Sequence, residues 1–131
     1  MVCGRERGGS MATWQELSTF LKSRYKIERE EENIIRLLFE VNGARTHTIS
    51  VHNFAPMVTF STPVGLVGEV DAAALLQGVI PFGVAQIGDV YAIMHTSWLA
   101  TLDELEVEAP INILVKKADE LEAKLTGKDR F

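Results

Sequence analysis

Apolar and polar positions recur with two different periods along the chain, and these periods predict where helices and strands lie. The first helix is predicted over residues 14–24, because large apolar side chains recur there at three- and four-residue spacing. Thr13 and Glu16 have the spacing of a capping box, in which each side chain bonds to the backbone of the other residue. The pattern therefore predicts an amphipathic helix with a defined beginning.

Two further helices are predicted in the second half of the chain. A short helix over residues 72–77 follows Asp71, whose carboxylate can cap it, and precedes Gly78, a good stop. Thr101 and Glu104 repeat the spacing of a capping box, and Pro110 suits the first turn of a long final helix that Gly127 ends. One apolar stripe runs along this helix: Ile111, Leu114, Val115, Ala118, Leu121 and Leu125.

Five strands are predicted from alternating or short apolar runs: 34–41, 44–52, 57–62, 82–87 and 90–96. Asn42-Gly43 and Gly88-Asp89 each have the composition of a two-residue hairpin turn, whose residues must accept positive φ. The acidic segment 28–32 precedes the first strand, and we interpret it as a solvated connection because charge runs usually face water.

The order of elements is therefore α-β-β-β-α-β-β-α, which predicts an α+β fold. Links between successive strands are short enough for antiparallel pairing, so we expect a five-stranded antiparallel sheet with the helices packed mainly on one face. Residues 13–127 are predicted to form this single domain. Residues 1–12 lack an apolar signal segment and are expected to be a flexible leader.

Charge and cysteine content narrow the classes of function. The chain has 131 residues and a net charge of −5, and this acidic balance argues against nucleic acid or an anionic membrane surface as a partner. Cys3 is the single cysteine, so no disulfide can form within the chain, which favours a reducing, cytoplasmic location. No apolar run approaches the roughly 20 residues that a membrane span requires.

Three histidines are the remaining candidates for chemistry. His47 and His52 lie five residues apart on one predicted strand, so their side chains should point to opposite faces and cannot share a metal ion. His95 lies near the end of the last strand without a recognised catalytic motif beside it. We therefore expect no catalytic residue, no metal and no cofactor. The alternative is a small enzyme or ligand-binding module with a pocket near His95 or His52.

The whole pattern resembles the type III secretion chaperone-like fold, which includes the class I secretion chaperones and the YbjN-like proteins. Three segments carry the resemblance: the opening WQELSTFLKSRY, the DAAALLQGV helix leading into PFGVAQIGDVYAIMHTSWL, and the closing LDELEVEAPINILVKKADELEAKL. The resemblance implies a cytoplasmic homodimer that uses no cofactor. It also implies a non-catalytic, chaperone-like or regulatory function in which the dimer binds an extended segment of a partner protein.

A dimer interface is predicted from the face of the sheet that the helices leave uncovered. The last strand carries apolar side chains on both of its sides, and a face bearing such residues commonly marks an interface. We therefore expect a symmetric homodimer through the second half of the sheet and the short middle helix. The candidate interface residues are Leu75, Tyr91, Ile93 and Met94.

Overall fold

Three helices and six strands follow one another along the chain. The computed structural model describes residues 11–41 and 45–127. The elements are α1 (Trp14–Arg24), β1 (Ile27–Glu31), β2 (Ile34–Val41), β3 (Arg45–Phe54), β4 (Met57–Leu66), α2 (Ala72–Gly78), β5 (Gly83–Ile87), β6 (Val90–Trp98), a 3-10 turn (Leu99–Thr101) and α3 (Glu104–Thr126).

All six strands form one antiparallel sheet in the order β1-β2-β3-β4-β6-β5. The α+β class and the antiparallel pairing are as predicted, but the prediction of five strands was wrong. The extra strand is β1, in the acidic segment that we interpreted as a connection. It pairs with β2 and ends at the Glu31–Ile34 pair. Because β1 lies at the sheet edge, its charged side chains can remain in water while its backbone pairs.

Strand β4 extends beyond the predicted end at Thr62. It continues through Pro63 to Leu66 and pairs with β6, with a shift of register between Pro63 and Gly65. Proline has no N–H to donate, so it is tolerated in a sheet at such an irregularity. The sequence pattern marked Pro63 correctly as a disturbance, but the pairing with β6 keeps the strand going.

Helix ends follow the predicted caps in most places. The Thr13–Glu16 capping box is formed, Asp71 accepts from the amide of Ala73, and Gly127 ends α3 with a positive φ of 71°. The beginning of α3 was predicted wrongly. Asp103 caps it by accepting from the Glu106 amide, so the helix begins six residues before Pro110 and contains that proline in its interior.

The core lies between the helices and one face of the sheet, which we call the helix-covered face. It includes Leu17 and Leu21 of α1, Leu75 of α2 and an apolar stripe of α3. Helix α3 crosses β4, β3, β2 and β6. The strands contribute Ile35, Leu37, Ile49, Val51, Val58, Phe60, Val64 and Ile93. The prediction that the first and last helices share one face is therefore confirmed.

The folded part begins slightly before the predicted boundary. Met11, within the expected leader 1–12, is only 1% exposed and belongs to the core. Residues 1–10 and the predicted Asn42-Gly43 turn lie outside the described residues. The strands on either side of that turn pair antiparallel, beginning at Val41 and Arg45.

Gly65 marks a close approach between β4 and its neighbours. A methyl group added at Gly65 would lie 2.5 Å from Cγ2 of Val70 and 3.0 Å from Cγ2 of Thr126, whereas one added at Gly68 would meet nothing within 4 Å. We therefore expect Gly65→Ala to lower the free energy of unfolding by about 1–3 kcal/mol. Urea unfolding measures this, with Gly68→Ala as the matched control, expected to change stability by less than about 1 kcal/mol. Equal effects of both substitutions would contradict the packing described.

Candidate functional site

His47 is a fully buried histidine on β3. It pairs across the sheet with Phe39, and it shares the helix-covered face with Ile49 and Val51. Side chains alternate between the two faces of a strand, so His47 must lie on the same face as Ile49 and Val51, which the core requires on that face. A buried imidazole needs polar partners, and one of its nitrogens finds a backbone carbonyl on β4.

Two carboxylates of α3 lie close to the ring of His47. Asp119 is 5% exposed and Glu122 is 1% exposed. Residues three apart on a helix lie on one face, so both side chains leave α3 toward the sheet. His47, Asp119 and Glu122 each offer one nitrogen or oxygen atom, and these atoms all lie within 4.8 Å of one another. We call these three residues the buried triad.

The two ring nitrogens of His47 have different surroundings. Nε2 lies 2.8 Å from the carbonyl oxygen of Pro63, and a carbonyl can only accept, so Nε2 carries a proton and donates it. Nδ1 lies 3.6 Å from Oε1 of Glu122, which is longer than a hydrogen bond. The Pro63 contact therefore leaves Nδ1 as the atom directed at the carboxylates.

The local end of the β3–β4 ladder explains why a side chain meets this carbonyl. The ladder runs from the Phe54–Met57 pair to the Ser50–Ser61 pair. Beyond it, side chains take over: the hydroxyl of Thr62 donates to the Thr48 carbonyl at 2.8 Å, and the His47 ring donates to Pro63. The ring thus provides a hydrogen bond to a backbone carbonyl at a position where the strand pairing has stopped.

A groove of about 560 Å³ lies beside the buried triad, between the end of β2 and α3. Asp119 belongs to both, because it lines the groove and also contributes to the triad. The other lining residues are Phe39, Glu40, Val41, Asn112, Val115, Lys116 and Glu120. The groove therefore reaches the triad at Asp119.

The other two histidines lie elsewhere. His52 is on the opposite face of β3 from His47, as their odd spacing predicts, and its ring stacks on Phe54 at a centroid distance of 4.1 Å. His95 hydrogen-bonds to the Ser97 hydroxyl at 3.0 Å and lies near the rings of Phe60 and Phe82. Neither His52 nor His95 lines the groove. The groove therefore does not support the alternative of an enzyme or ligand-binding module with a pocket near these two histidines.

The predicted interface residues are divided between the core and the surface. Leu75 and Ile93 are 0% exposed in the single chain, so they offer no surface to a partner in this conformation. Tyr91 packs against the core from the helix-covered face, where the two-residue period places it with Ile93. Met94 points to the other face of the sheet, opposite Ser61. Of the four, Met94 is the residue placed to contact a second copy.

We call the face of the sheet opposite the helices the open face. Its residues on β4, β6 and β5 carry no charge, and we call them the neutral half of the open face: Met57, Thr59, Ser61, Pro63, Val90, Ala92, Met94, Thr96, Trp98, Gly83, Ala85 and Ile87. Trp98 and Ile87 are both 58% exposed. Next to this half, Phe54 of β3 pairs with Met57, which pairs with Trp98, so three large apolar side chains form a row across the sheet.

The part of the open face on β1 and β2 is charged instead. Arg29 forms an ion pair with Glu31, and Arg36 pairs with Glu28 at 3.7 Å. The two halves of the open face therefore differ in charge, which indicates that each half meets different surroundings.

Sequence reasoning missed both acidic members of the buried triad. Glu122 lies seven residues after Val115 and four after Ala118, so it occupies a position of the apolar stripe of α3. Asp119 lies three residues before it. A carboxylate at a position of the apolar stripe is the signal in the sequence that could have found Glu122.

Comparison with known proteins adds no family assignment. Neither the models of known protein families nor the curated proteins include a match to this chain. The resemblance to the type III secretion chaperone-like fold therefore stays a prediction.

The surroundings of His95 predict how stability depends on pH. Burial lowers the pKa of the His95 imidazole below its ordinary value of 6.5. The unfolded chain then binds a proton at this site more readily than the folded chain, so stability falls as the pH drops below about 6.5 toward the lowered pKa. Above that range both states are neutral at His95 and the effect vanishes.

We expect His95→Gln to lose less stability than the wild type between about pH 7.5 and pH 5.5, because the variant lacks this proton uptake. Urea unfolding at both pH values measures the difference. NMR titration of the ring, assigned by comparison with the variant, should give a midpoint below 6.5 for His95. A midpoint at or above that value would contradict the burial argument.

Proposed function

We propose that this chain is a non-catalytic, chaperone-like or regulatory protein-binding domain that forms a symmetric dimer and holds an extended segment of a partner protein. The observation that carries the proposal is the neutral half of the open face. A chain in which 24% of residues are charged has no charged side chain on this part of three neighbouring strands. Exposed apolar surface of this kind commonly marks a protein interface.

A second copy of the chain is the occupant that the charges favour for this face. Two chains with a net charge of −5 repel each other, so they can approach closely only through surfaces where like charges do not meet. The neutral half of the open face meets that requirement when it packs against itself around a two-fold axis. Trp98 and Met57 would lie near the centre, since large apolar and aromatic anchors dominate interface energies.

The two edges of the sheet differ in a way that favours β5 as the site for an extended segment. The β1 edge has the sequence IEREE, and such charges protect a sheet edge against pairing with another strand. The β5 edge has the sequence GVAQI, which has no charge. An extended peptide can add to such an edge through backbone hydrogen bonds, with side-chain contacts supplying specificity. Exposed Leu76 and Ile80, at 58% and 78%, precede this strand in the chain.

The cysteine content suits a cytoplasmic setting within the same proposal. Across residues 11–41 and 45–127, no helix has both the length and the apolar character needed to cross a membrane. A single cysteine in the whole chain suits a reducing compartment.

The dimer is tested by placing a charge on the neutral half of the open face. We expect the wild type to sediment at twice the chain mass of 14.5 kDa at micromolar concentration. Trp98→Asp should give monomer, because each copy would place a charge in a surface that becomes dry. Leu105→Asp is the matched control: Leu105 is 71% exposed, it lies on α3, and its replacement should leave the dimer intact.

Circular dichroism and thermal unfolding show whether Trp98→Asp remains folded. A folded wild type that sediments as a monomer throughout the concentration range would refute the dimer. Equal dissociation by Trp98→Asp and Leu105→Asp would show that the interface, if present, is not on the open face.

Binding of an extended segment is tested with a library of displayed peptides selected on the immobilised protein. We expect the selected peptides to alternate apolar and polar residues, as a strand added to β5 would. Gln86→Lys places a lysine at the edge and should weaken their binding several-fold. Gln77→Lys makes the same change on α2, away from the edge, and serves as the control. Equal binding by both variants would place the peptide site elsewhere.

A further inference from the structure

We propose that the buried triad of His47, Asp119 and Glu122 binds one divalent transition-metal ion of the Zn²⁺ class. The donor set of one imidazole nitrogen and two carboxylate oxygens is the first reason. Zinc accepts nitrogen and oxygen ligands together, whereas calcium and magnesium take oxygen ligands. The inference is independent of dimer formation and of peptide binding, because the triad lies under α3 and not on the open face.

The distances between the ligand atoms fit a small ion. Two atoms that each lie about 2.1 Å from a tetrahedral zinc ion are roughly 3.4 Å apart. His47 Nδ1 and Glu122 Oε1 are separated by 3.6 Å. The widest separation in the triad is within 4.8 Å, so rotation of the carboxylate side chains by small amounts would bring all three atoms to bonding distance.

The Pro63 carbonyl supplies the support that a metal-binding histidine requires. Such a histidine usually donates its second N–H to a carboxylate or a backbone carbonyl, and this contact fixes the tautomer and the ring orientation. His47 makes this contact through Nε2 at 2.8 Å. Nδ1 is then free to present its lone pair, and it is buried without a hydrogen bond in the described part of the chain. An unbonded ring nitrogen in a 0% exposed histidine is the second reason for the proposal.

The groove beside α3 provides access. Asp119 lines it, so an ion could enter past this carboxylate without opening the core between the helices and the sheet. Three protein ligands leave one position of a tetrahedral ion for water or another small ligand, and an open position of this kind distinguishes catalytic from closed structural zinc sites. Here the open position would face the groove.

Calorimetry with zinc on the metal-free full chain tests the proposal. We expect one ion per chain with a dissociation constant in the micromolar range or below, and a rise in Tm of several degrees when zinc is in hundredfold excess over that constant. Glu122→Gln and Asp119→Asn keep the side-chain size and should each weaken binding at least tenfold. Glu120→Gln, which changes an exposed carboxylate at the groove, is the matched control and should bind as the wild type does.

The same titration is run on Cys3→Ser, so that a thiol outside the described residues cannot be mistaken for the site. NMR of the wild type gives a readout that does not depend on any variant folding: zinc should shift the His47 ring signals and leave those of His52 and His95 in place. Absence of stoichiometric binding by the wild type, loss of binding in Cys3→Ser, or a shift confined to His52 or His95 would each overturn the proposal.

Discussion

The packing of α3 across one face of the antiparallel sheet is the contact on which the rest of this structure depends. The helix extends from Glu104 to Thr126 and lies over four of the six strands. Each large apolar side chain buried in this layer contributes about 1.5–3 kcal/mol relative to leaving it exposed. Helices α1 and α2 join the same core, so the sheet has one dry face and one open face.

This contact layer contains an arrangement that apolar packing alone does not require. His47 faces α3 from β3, and Asp119 and Glu122 face it from the helix. The metal proposal rests on this donor set and on the buried Nδ1 of His47, which has no hydrogen bond within the described residues.

The open face is itself divided into a charged part and a neutral part, which lie on different strands of the sheet. Its charged part lies on β1 and β2, where ion pairs and a protected edge keep the surface compatible with water. Its neutral half, on β4, β6 and β5, ends at an edge strand without charge. The strand order brings these two regions to opposite ends of one sheet, so the charge on the open face is confined to one end.

Local chemistry by itself determined several features of this protein. The capping box at Thr13, the Asp71 cap and the Gly127 stop depend on neighbouring residues, so their sequence spacing was sufficient. The opposite orientations of His47 and His52 follow from the two-residue period of a strand, which no tertiary contact needed to supply.

Tertiary structure decided the features that depend on distant parts of the chain. The acidic segment became β1 because β2 offered a partner and the edge position left its charges in water, and neither fact is visible in the segment. The buried triad exists because β3 and α3 meet face to face, which brings His47 to carboxylates that follow it by 72 and 75 residues in the chain. Local periods reveal which face a side chain occupies, but only the packing of one element on another decides what that face meets.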